Sequence, residues 1–260
     1  MIIKKEKKIT KLNFFPDYSY FERAINYPYL TPDYAYSFFK GKFIQGIHLD
    51  LEKRIPILSV GSNRAPMQLK RKFSINQDLC VTPAVLYNSD IVYAASISAY
   101  GSIPATQWPS INAEVELNVL WLTQEQLNVM HLTEAVGIAY NFVKMNSGTV
   151  KIKDFEFNGD VYGYVSVAGS LPFEVNEPYR LSEINGINVN LKSINEEKAL
   201  ILLMKFLEPK QRNLSVWIKK IIDEKGYRLN LHELLKSQAI KPNNPNWKKI
   251  EVAMNGAMIL

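Results

Sequence analysis

The sequence of 260 residues predicts an α+β fold. Three observations predict it: apolar or alternating runs typical of strands fill the centre of the chain, aromatic residues crowd its first fifty positions, and the pattern changes after about residue 193 to apolar residues at helical spacing. We therefore expect an aromatic-rich N-terminal arm over residues 1–53, a strand-rich domain over 54–192 and a helical appendage over 193–260. The strands indicate a largely antiparallel or mixed, barrel-like sheet.

Composition and charge exclude several classes of protein. Hydrophobic residues make up 47% and charged residues 22% of the chain, which is an ordinary globular balance. The net charge of +6 comes with no stretch that interleaves arginine with stacking aromatics, so we expect no nucleic-acid partner. No apolar run reaches the roughly 18 residues of a membrane span, and the basic start of the chain lacks the apolar core of a secretory signal. The single cysteine, Cys80, fits a reducing compartment, and we expect a cytoplasmic protein without a membrane partner.

The arm carries too many aromatic rings for a solvated tail. Pro16, Pro28 and Pro32 prevent it from forming one long helix, so we expect an irregular segment. It packs on the main domain, which we favour, or on a partner. Its rings are Phe14, Phe15, Tyr18, Tyr20, Phe21, Tyr27, Tyr29, Tyr34, Tyr36, Phe38, Phe39 and Phe43.

The central strands are predicted from apolar runs and from alternation. The run 55–60 is continuously apolar, which is typical of a strand buried on both faces, whereas 115–121 alternates. The turn at 146–148 predicts a hairpin between the strands on either side of it. The predicted strands are 55–60, 85–95, 115–121, 139–145, 150–157 and 161–168.

Three helices are predicted in the appendage. A capping-box pattern at Ser193–Glu196 begins a helix that ends near residue 207, before Pro209. A second helix spans 213–225, with Gly226 as its C-terminal stop. A third, short helix is predicted around 230–233.

An anion cradle is predicted where the first central strand ends. Gly61, Ser62 and Asn63 follow the strand, and a helix begins after Arg64. A sharp strand-to-helix turn exposes unpaired main-chain N–H groups, which suit a carboxylate or a phosphate. The alternative is an ordinary turn in which Asn63 caps the helix.

A carboxylate is predicted on the apolar face of a second helix. Thr123 and Gln126 form a capping box, and Leu127, Met130 and Glu134 follow at helical spacing. A carboxylate that faces the core at the end of a helix is suited to general acid–base chemistry. The alternative is a frayed helix end with Glu134 in solvent.

These residues resemble the motifs of the γ-glutamylcyclotransferase-like superfamily. Its members share a Tyr-Gly-Ser-Asn loop after the first strand, a Gly-x-Ala-Thr element, and a strand–helix unit that ends in the catalytic glutamate. The corresponding segments here are 60–63, 102–106 and 115–134, and the similarity covers about residues 54–190. Val60 replaces the loop tyrosine, which removes an aromatic wall and a hydroxyl group from the pocket. Ser102 and Leu117 replace two glycines.

The resemblance implies a small mixed β-barrel with flanking helices and an enzyme that needs no cofactor or metal. Glu134 would be the catalytic residue: it would take a proton from the α-amine of a γ-glutamyl group, the amine would attack the γ-carbonyl, and 5-oxoproline would form as an amine leaves. The main chain of Gly61 and Ser62 would hold the α-carboxylate end of this small-molecule substrate. The implied substrate-binding residues are Ser59, Val60, Gly61, Ser62, Asn63 and Tyr179.

A second interpretation stays open. The chain could be a non-catalytic member of the fold that binds a small molecule or a protein, with a protein partner bound through residues 1–50 or 193–260. His48, His131 and His232 lie far apart in the sequence and show no metal-ligand spacing. His131 could still contact Glu134, which lies three residues further along the helix.

Overall fold

The structure is a computed structural model that describes residues 14–174, 176–252 and 258–259. The basic start of the chain, on which the expectation about a secretory signal rested, lies outside the described residues. No helix in the described ranges combines the length and apolar character that crossing a membrane requires.

The structure contains helices and strands throughout. The helices are α1 (Tyr20–Ile25), α2 (Pro66–Phe73), α3 (Gln124–Thr133), α4 (Glu196–Leu207), α5 (Leu214–Asp223) and α6 (Lys225–Ser237), with a 3-10 helix at Ser62–Arg64. The strands are β1 (Tyr36–Phe39), β2 (Lys42–Gln45), β3 (Ile55–Ser59), β4 (Leu79–Tyr93), β5 (Ala105–Leu122), β6 (Tyr140–Met145), β7 (Val150–Ile152), β8 (Tyr162–Ser166), β9 (Pro172–Glu174), β10 (Glu177–Pro178), β11 (Arg180–Leu181), β12 (Gly186–Ile187), β13 (Ser193–Ile194), β14 (Trp247–Lys249), β15 (Glu251–Val252) and β16 (Met258–Ile259).

A large mixed sheet forms the centre of the fold. Its main order is β13-β11-β4-β5-β3-β8-β6-β14, in which β3–β8 and β11–β13 are parallel and the other pairs are antiparallel. Strands β1 and β7 also pair with β4, β2 pairs with β1, and β12 pairs with β5. The predicted α+β class with a mixed sheet and flanking helices is confirmed.

The long strand β5 curves the sheet. Its end pairs with β3, while its start lies beside the end of β8, where the main-chain N–H of Ser166 donates to Thr106 Oγ1 at 3.0 Å. Among the described residues the strand pairings nevertheless give an open order, and they do not show the closed barrel that the resemblance implied.

The described part of the arm is more regular than the sequence predicted. Ser19 and Glu22 form a capping box that begins α1, and the β1–β2 hairpin joins the sheet through β4. Four arm rings enter a core cluster with side chains from α2, β4, β5 and β6; they are Phe14, Tyr36, Phe38 and Phe43. The arm therefore packs on the strand-rich part of the chain.

Several local expectations at the other elements are wrong. β7 pairs with β4, whereas β6 pairs with β8 and β14, so the turn at 146–148 does not close a hairpin. Asn195, not Ser193, caps α4 by accepting a hydrogen bond from the N–H of Lys198 at 3.0 Å. Gly226 lies inside the 13-residue helix α6 and does not end α5.

The three predicted segments share one core. Ala24 and Tyr27 from the arm, Leu58 and Val119 from the sheet, and Trp217 from α5 belong to the same buried cluster. The boundaries at 53 and 192 remain predictions, since the packing is continuous across both.

Candidate active site

A cavity of about 330 Å³ lies beyond the end of β3. Its walls come from the loop after β3, one face of α2, the loop between β4 and β5, the end of α3, and the arm. The residues that line it are Tyr27, Ile57, Leu58, Ser59, Val60, Gly61, Ser62, Asn63, Gln68, Lys72, Ser96, Ile97, Ser98, Ala99, Tyr100, Pro104, Ala105, Thr133, Glu134, Ala135, Ala139, Tyr140 and Tyr164.

The loop after β3 forms one wall, as the sequence predicted. Strand pairing ends at Ser59, and the chain turns through Gly61 into the 3-10 helix. Within the described residues, the main-chain N–H groups of Gly61, Ser62 and Asn63 make no hydrogen bond. They are therefore donors that a ligand in the cavity can use.

Glu134 brings a carboxylate into the same cavity. The Thr123–Gln126 capping box begins α3, and Glu134 is the residue that caps its C-terminal end. The Glu134 side chain is only 13% exposed, so the alternative in which it turns into solvent is wrong. Its Oε1 accepts a hydrogen bond from Asn63 Nδ2 at 3.0 Å, which joins the carboxylate to the loop.

The sequence analysis missed two polar residues on α2. Lys72 forms an ion pair with Glu134 Oε1 and is only 10% exposed; its ammonium group also lies 3.4 Å from Met130 Sδ. Gln68 stands one turn earlier on the same helix face and also lines the cavity. The four-residue spacing of Gln68 and Lys72 behind the cradle was the available signal.

Two buried acceptors in the site lack a partner. Asn63 Oδ1 and Gln68 Oε1 have no hydrogen-bond partner among the described residues. Since an unpaired buried acceptor is costly, these oxygens are suited to a ligand with several N–H donors.

Four tyrosines line the cavity. Burial raises the pKa of Tyr27, Tyr100, Tyr140 and Tyr164, and the charge of Glu134 raises the pKa of the last three further. These hydroxyl groups therefore remain neutral and can donate hydrogen bonds at physiological pH.

His131 lies behind this wall and not on the carboxylate. Its Nδ1 and the Tyr164 hydroxyl are 2.8 Å apart, and burial lowers the pKa of the imidazole. The contact of His131 with Glu134 that the sequence suggested does not form. Within the described part of the chain, no group of three or more His, Cys, Asp or Glu residues is arranged to hold a metal ion.

Tyr179 does not belong to the cavity. Its hydroxyl donates to Glu174 Oε1 at 2.6 Å, and its ring stacks on Phe173. The sequence assignment of Tyr179 to the substrate pocket therefore needs correction. Ser59, Val60, Gly61, Ser62, Asn63 and Glu134, the other assigned residues, all line the cavity.

Comparisons with known proteins give only distant similarities. No protein-family model and no curated protein matches the chain. Among solved structures, a protein from Arabidopsis thaliana, solved in solution, is 18% identical and covers 67% of this chain and 94% of its own, with a TM-score of 0.38. A gamma-glutamyl cyclotransferase is 16% identical over 75% of this chain and 93% of its own, with a TM-score of 0.36. An uncharacterized protein from Homo sapiens is 18% identical over 76% and 94%, with a TM-score of 0.34.

The structural comparison thus finds the same resemblance as the sequence motifs, over part of the chain. With TM-scores below 0.5, these three neighbours carry no conclusion about the function of this chain.

Proposed function

We propose that this protein is a γ-glutamylcyclotransferase-like enzyme that converts a γ-glutamyl group to 5-oxoproline and releases an amine or amino acid. One observation carries the proposal: the buried Glu134 carboxylate contacts both Asn63 of the cradle loop and Lys72 inside one cavity. A base and an anion-binding surface are therefore neighbours, as an α-amino-acid head group requires.

The charges of the cavity match that head group. The α-ammonium and the α-carboxylate of a γ-glutamyl compound are attached to the same carbon, so the groups that bind them must be adjacent. Glu134 and Lys72 are in direct contact, and the free N–H groups of Gly61–Asn63 lie on the same wall. In this arrangement Lys72 and the loop bind the carboxylate while the ammonium group faces Glu134.

The unpaired acceptors complete the ammonium site. An ammonium group has three N–H donors, and Glu134 accepts one of them. Asn63 Oδ1 and Gln68 Oε1 are buried, lack partners and line the same cavity. They are the acceptors for the remaining donors.

The reaction then needs one proton carrier. Glu134 takes a proton from the α-ammonium, and the free amine attacks the γ-carbonyl to form a nitrogen–carbon bond. Glu134 returns this proton to the leaving nitrogen as the bond between that nitrogen and the carbonyl carbon breaks. The attacking nitrogen then loses its second proton to Glu134, which passes it to the released amine or to solvent, and the lactam keeps one N–H. Because the attack is intramolecular, holding the substrate in a bent conformation supplies much of the rate enhancement.

The surroundings of the cavity support a small substrate. A volume of about 330 Å³ is near the lower end for ligand sites, which suits a compound of amino-acid size. We propose that the curved sheet serves the same role as the small barrel of the resembling family. We also propose a cytoplasmic location, supported by the lone, buried Cys80.

The test replaces Glu134 with glutamine, which keeps its shape and removes its basicity. We expect release of 5-oxoproline from a panel of γ-glutamyl dipeptides and amines, measured by mass spectrometry, to fall by about 10²- to 10⁴-fold. Glu125→Gln changes an exposed carboxylate on the same helix and is the matched control, expected to retain activity.

Equal turnover by Glu134→Gln and the wild-type protein would reject the role of Glu134. Binding of these compounds without turnover by the wild-type protein would favour the alternative, a non-catalytic binding module. The wild-type protein and Glu134→Gln should have the same thermal unfolding midpoint within a few degrees, so that two folded proteins are compared.

A further inference from the structure

One residue of the cavity, Tyr27, comes from the arm, which lies outside the region of family resemblance. Tyr27 follows α1, is buried, and lines the cavity beside the cradle loop. Its hydroxyl oxygen accepts a hydrogen bond from the main-chain N–H of Ala105 at 2.8 Å. A Cβ atom added to Gly61 would collide with this oxygen, so the hydroxyl lies directly against the loop.

The hydrogen of this hydroxyl is available to a ligand. Tyr27 accepts its one hydrogen bond from Ala105, and no acceptor among the described residues takes the phenolic hydrogen. Burial raises the pKa of Tyr27 well above that of a free tyrosine, so the hydroxyl stays protonated. A neutral O–H group therefore lies in the cavity wall, fixed between Gly61 and Ala105.

The other three tyrosines of the cavity are already engaged. Tyr140 donates to the Ala105 carbonyl oxygen at 3.3 Å, and Tyr164 shares a hydrogen bond with His131. Hydrogen bonds with the side chains of Ser62 and Ser102 hold the Tyr100 hydroxyl and partly oppose the rise of its pKa. Tyr27 thus differs from Tyr140 and Tyr164, whose hydroxyl groups have these partners, because no acceptor among the described residues takes its hydrogen.

We propose that Tyr27 is a catalytic residue that donates its hydroxyl hydrogen to the γ-carbonyl oxygen of the substrate. This inference rests on the proposed function. When the α-amine attacks the γ-carbonyl, negative charge develops on the carbonyl oxygen, and a fixed donor stabilises that charge. No bond to Tyr27 forms or breaks; its hydrogen bond strengthens in the transition state.

The sequence shows why a donor from the arm is needed. Val60 stands at the loop position where the resemblance expects tyrosine, and its isopropyl group cannot donate a hydrogen bond. The hydroxyl of Tyr27 lies against the same loop, at the neighbouring Gly61.

The arm is held firmly enough to position this group. The Ser19–Glu22 capping box fixes the start of α1, which packs on α4 and α5. The guanidinium group of Arg23, on the same helix, lies 4.5 Å from the centre of the Tyr100 ring. A hydroxyl held in place before the substrate binds is what electrostatic stabilisation requires.

The first experiment compares Tyr27→Phe with the wild-type protein on the γ-glutamyl panel. We expect kcat to fall by about 10²- to 10³-fold, as when one oxyanion donor is removed, with KM raised by only about tenfold for the lost hydrogen bond to the ground-state carbonyl. The matched control is Tyr93→Phe, which removes a buried hydroxyl that donates to the Ile194 carbonyl at 3.0 Å and does not line the cavity. It should keep kcat within twofold of the wild-type value.

A second series separates catalysis from structure, because Tyr27→Phe also removes the partner of the Ala105 N–H. Ring-fluorinated tyrosines placed at position 27 keep the ring and the oxygen but make the hydroxyl a stronger donor. We expect kcat to rise with hydroxyl acidity along this series, which a purely structural role would not produce. A flat response, or wild-type kcat in Tyr27→Phe, would overturn the proposal.

Binding of 5-oxoproline distinguishes failure of this inference from failure of the proposed function. Its lactam carbonyl is the former γ-carbonyl, so calorimetry should show at least tenfold weaker binding to Tyr27→Phe than to the wild-type protein. If the wild-type protein releases no 5-oxoproline, the proposed function fails and this measurement decides the donor role alone. Equal affinity, or no binding to either protein, would then overturn it.

Discussion

The contact between Gly61 and Tyr27 can be measured by a double-mutant cycle. In Gly61→Ala the new methyl group would overlap the Tyr27 hydroxyl oxygen, whereas the ring atom Cζ would lie at 3.2 Å and Ala105 Cβ at 3.5 Å. The oxygen is therefore the only serious obstacle. It must move, and the hydrogen bond from the Ala105 N–H breaks when it does.

The expected cost follows from these two effects. Overpacking of a buried site costs about 1–3 kcal/mol. A buried N–H that loses its acceptor costs about 1–3 kcal/mol more. Tyr27→Phe loses only the hydrogen bond, so it should cost about 1–3 kcal/mol. In the double variant the phenyl ring has no hydroxyl oxygen, so most of the overlap disappears. The lost hydrogen bond of the Ala105 N–H is then counted once, whereas the sum of the two single variants counts it twice.

The double variant should therefore be more stable than the sum of the single variants predicts, by about 2–6 kcal/mol, which is the overpacking cost plus the cost of one hydrogen bond. Urea unfolding of the four proteins gives this coupling energy directly. Any backbone cost of alanine at position 61 is common to the single and double variants and cancels. Gly226→Ala, where an added Cβ has open space in α6, is the control and should not lower stability. Strict additivity would show that the arm does not lie against the loop.

Three further predictions concern the surroundings of the site. Burial raises the pKa of Glu196 far above its ordinary value of 4.5, against a hydrogen bond from the Ile103 N–H, so the folded protein holds this proton more tightly than the unfolded chain. The contribution of Glu196 to stability is therefore fully present below pH 4.5 and is lost as the pH rises. Above pH 4.5, Glu196→Gln should gain stability over the wild-type protein by up to about 1.4 kcal/mol per pH unit. Parallel pH–stability curves for the two proteins would contradict this. Lys72→Met should raise KM by about 10- to 100-fold for γ-glutamyl substrates, because a hydrogen bond to a charged carboxylate is worth about 1.5–3 kcal/mol. KM for the α-methyl esters, which lack that charge, should hardly change. Equal effects on acid and ester would show that Lys72 interacts with Glu134 alone. Thr123→Ala should cost about 1 kcal/mol in urea unfolding through loss of the helix cap, and an unchanged midpoint would argue against the capping box.

Local sequence signals located most of the site. The capping box and the spacing of apolar residues placed α3 correctly and put Glu134 on its buried side, because both signals act within a few residues. The apolar run and the Gly-Ser-Asn turn placed β3 and the cradle for the same reason. These parts depend on short-range propensity and patterning, which a single sequence contains.

What the sequence did not predict depends on distant contacts. Lys72 lies 62 residues from Glu134, and Tyr27 lies 78 residues from Ala105, so no local pattern connects them. The assignment of Tyr179 to the substrate pocket was wrong for the opposite reason. Its short motif fitted the resemblance, but the fold places the side chain beside Glu174. The turn at 146–148 has hairpin chemistry, yet β7 pairs with the distant strand β4 and not with its sequence neighbour β6.

The loop between β4 and β5 explains why segments outside the family resemblance belong to the site. This loop lines the cavity, but its position is fixed from outside it. The arm contributes the contact of Tyr27 with the end of the loop, and α4 contributes Glu196, whose Oε1 accepts a hydrogen bond from the Ile103 N–H at 2.6 Å. A third contact comes from α6, where His232 Nδ1 lies 3.1 Å from the hydroxyl oxygen of Ser96, a cavity residue. Because one wall of the cavity is held by the arm and two appendage helices, changes far from Glu134 in either segment should alter the candidate site before they unfold the sheet.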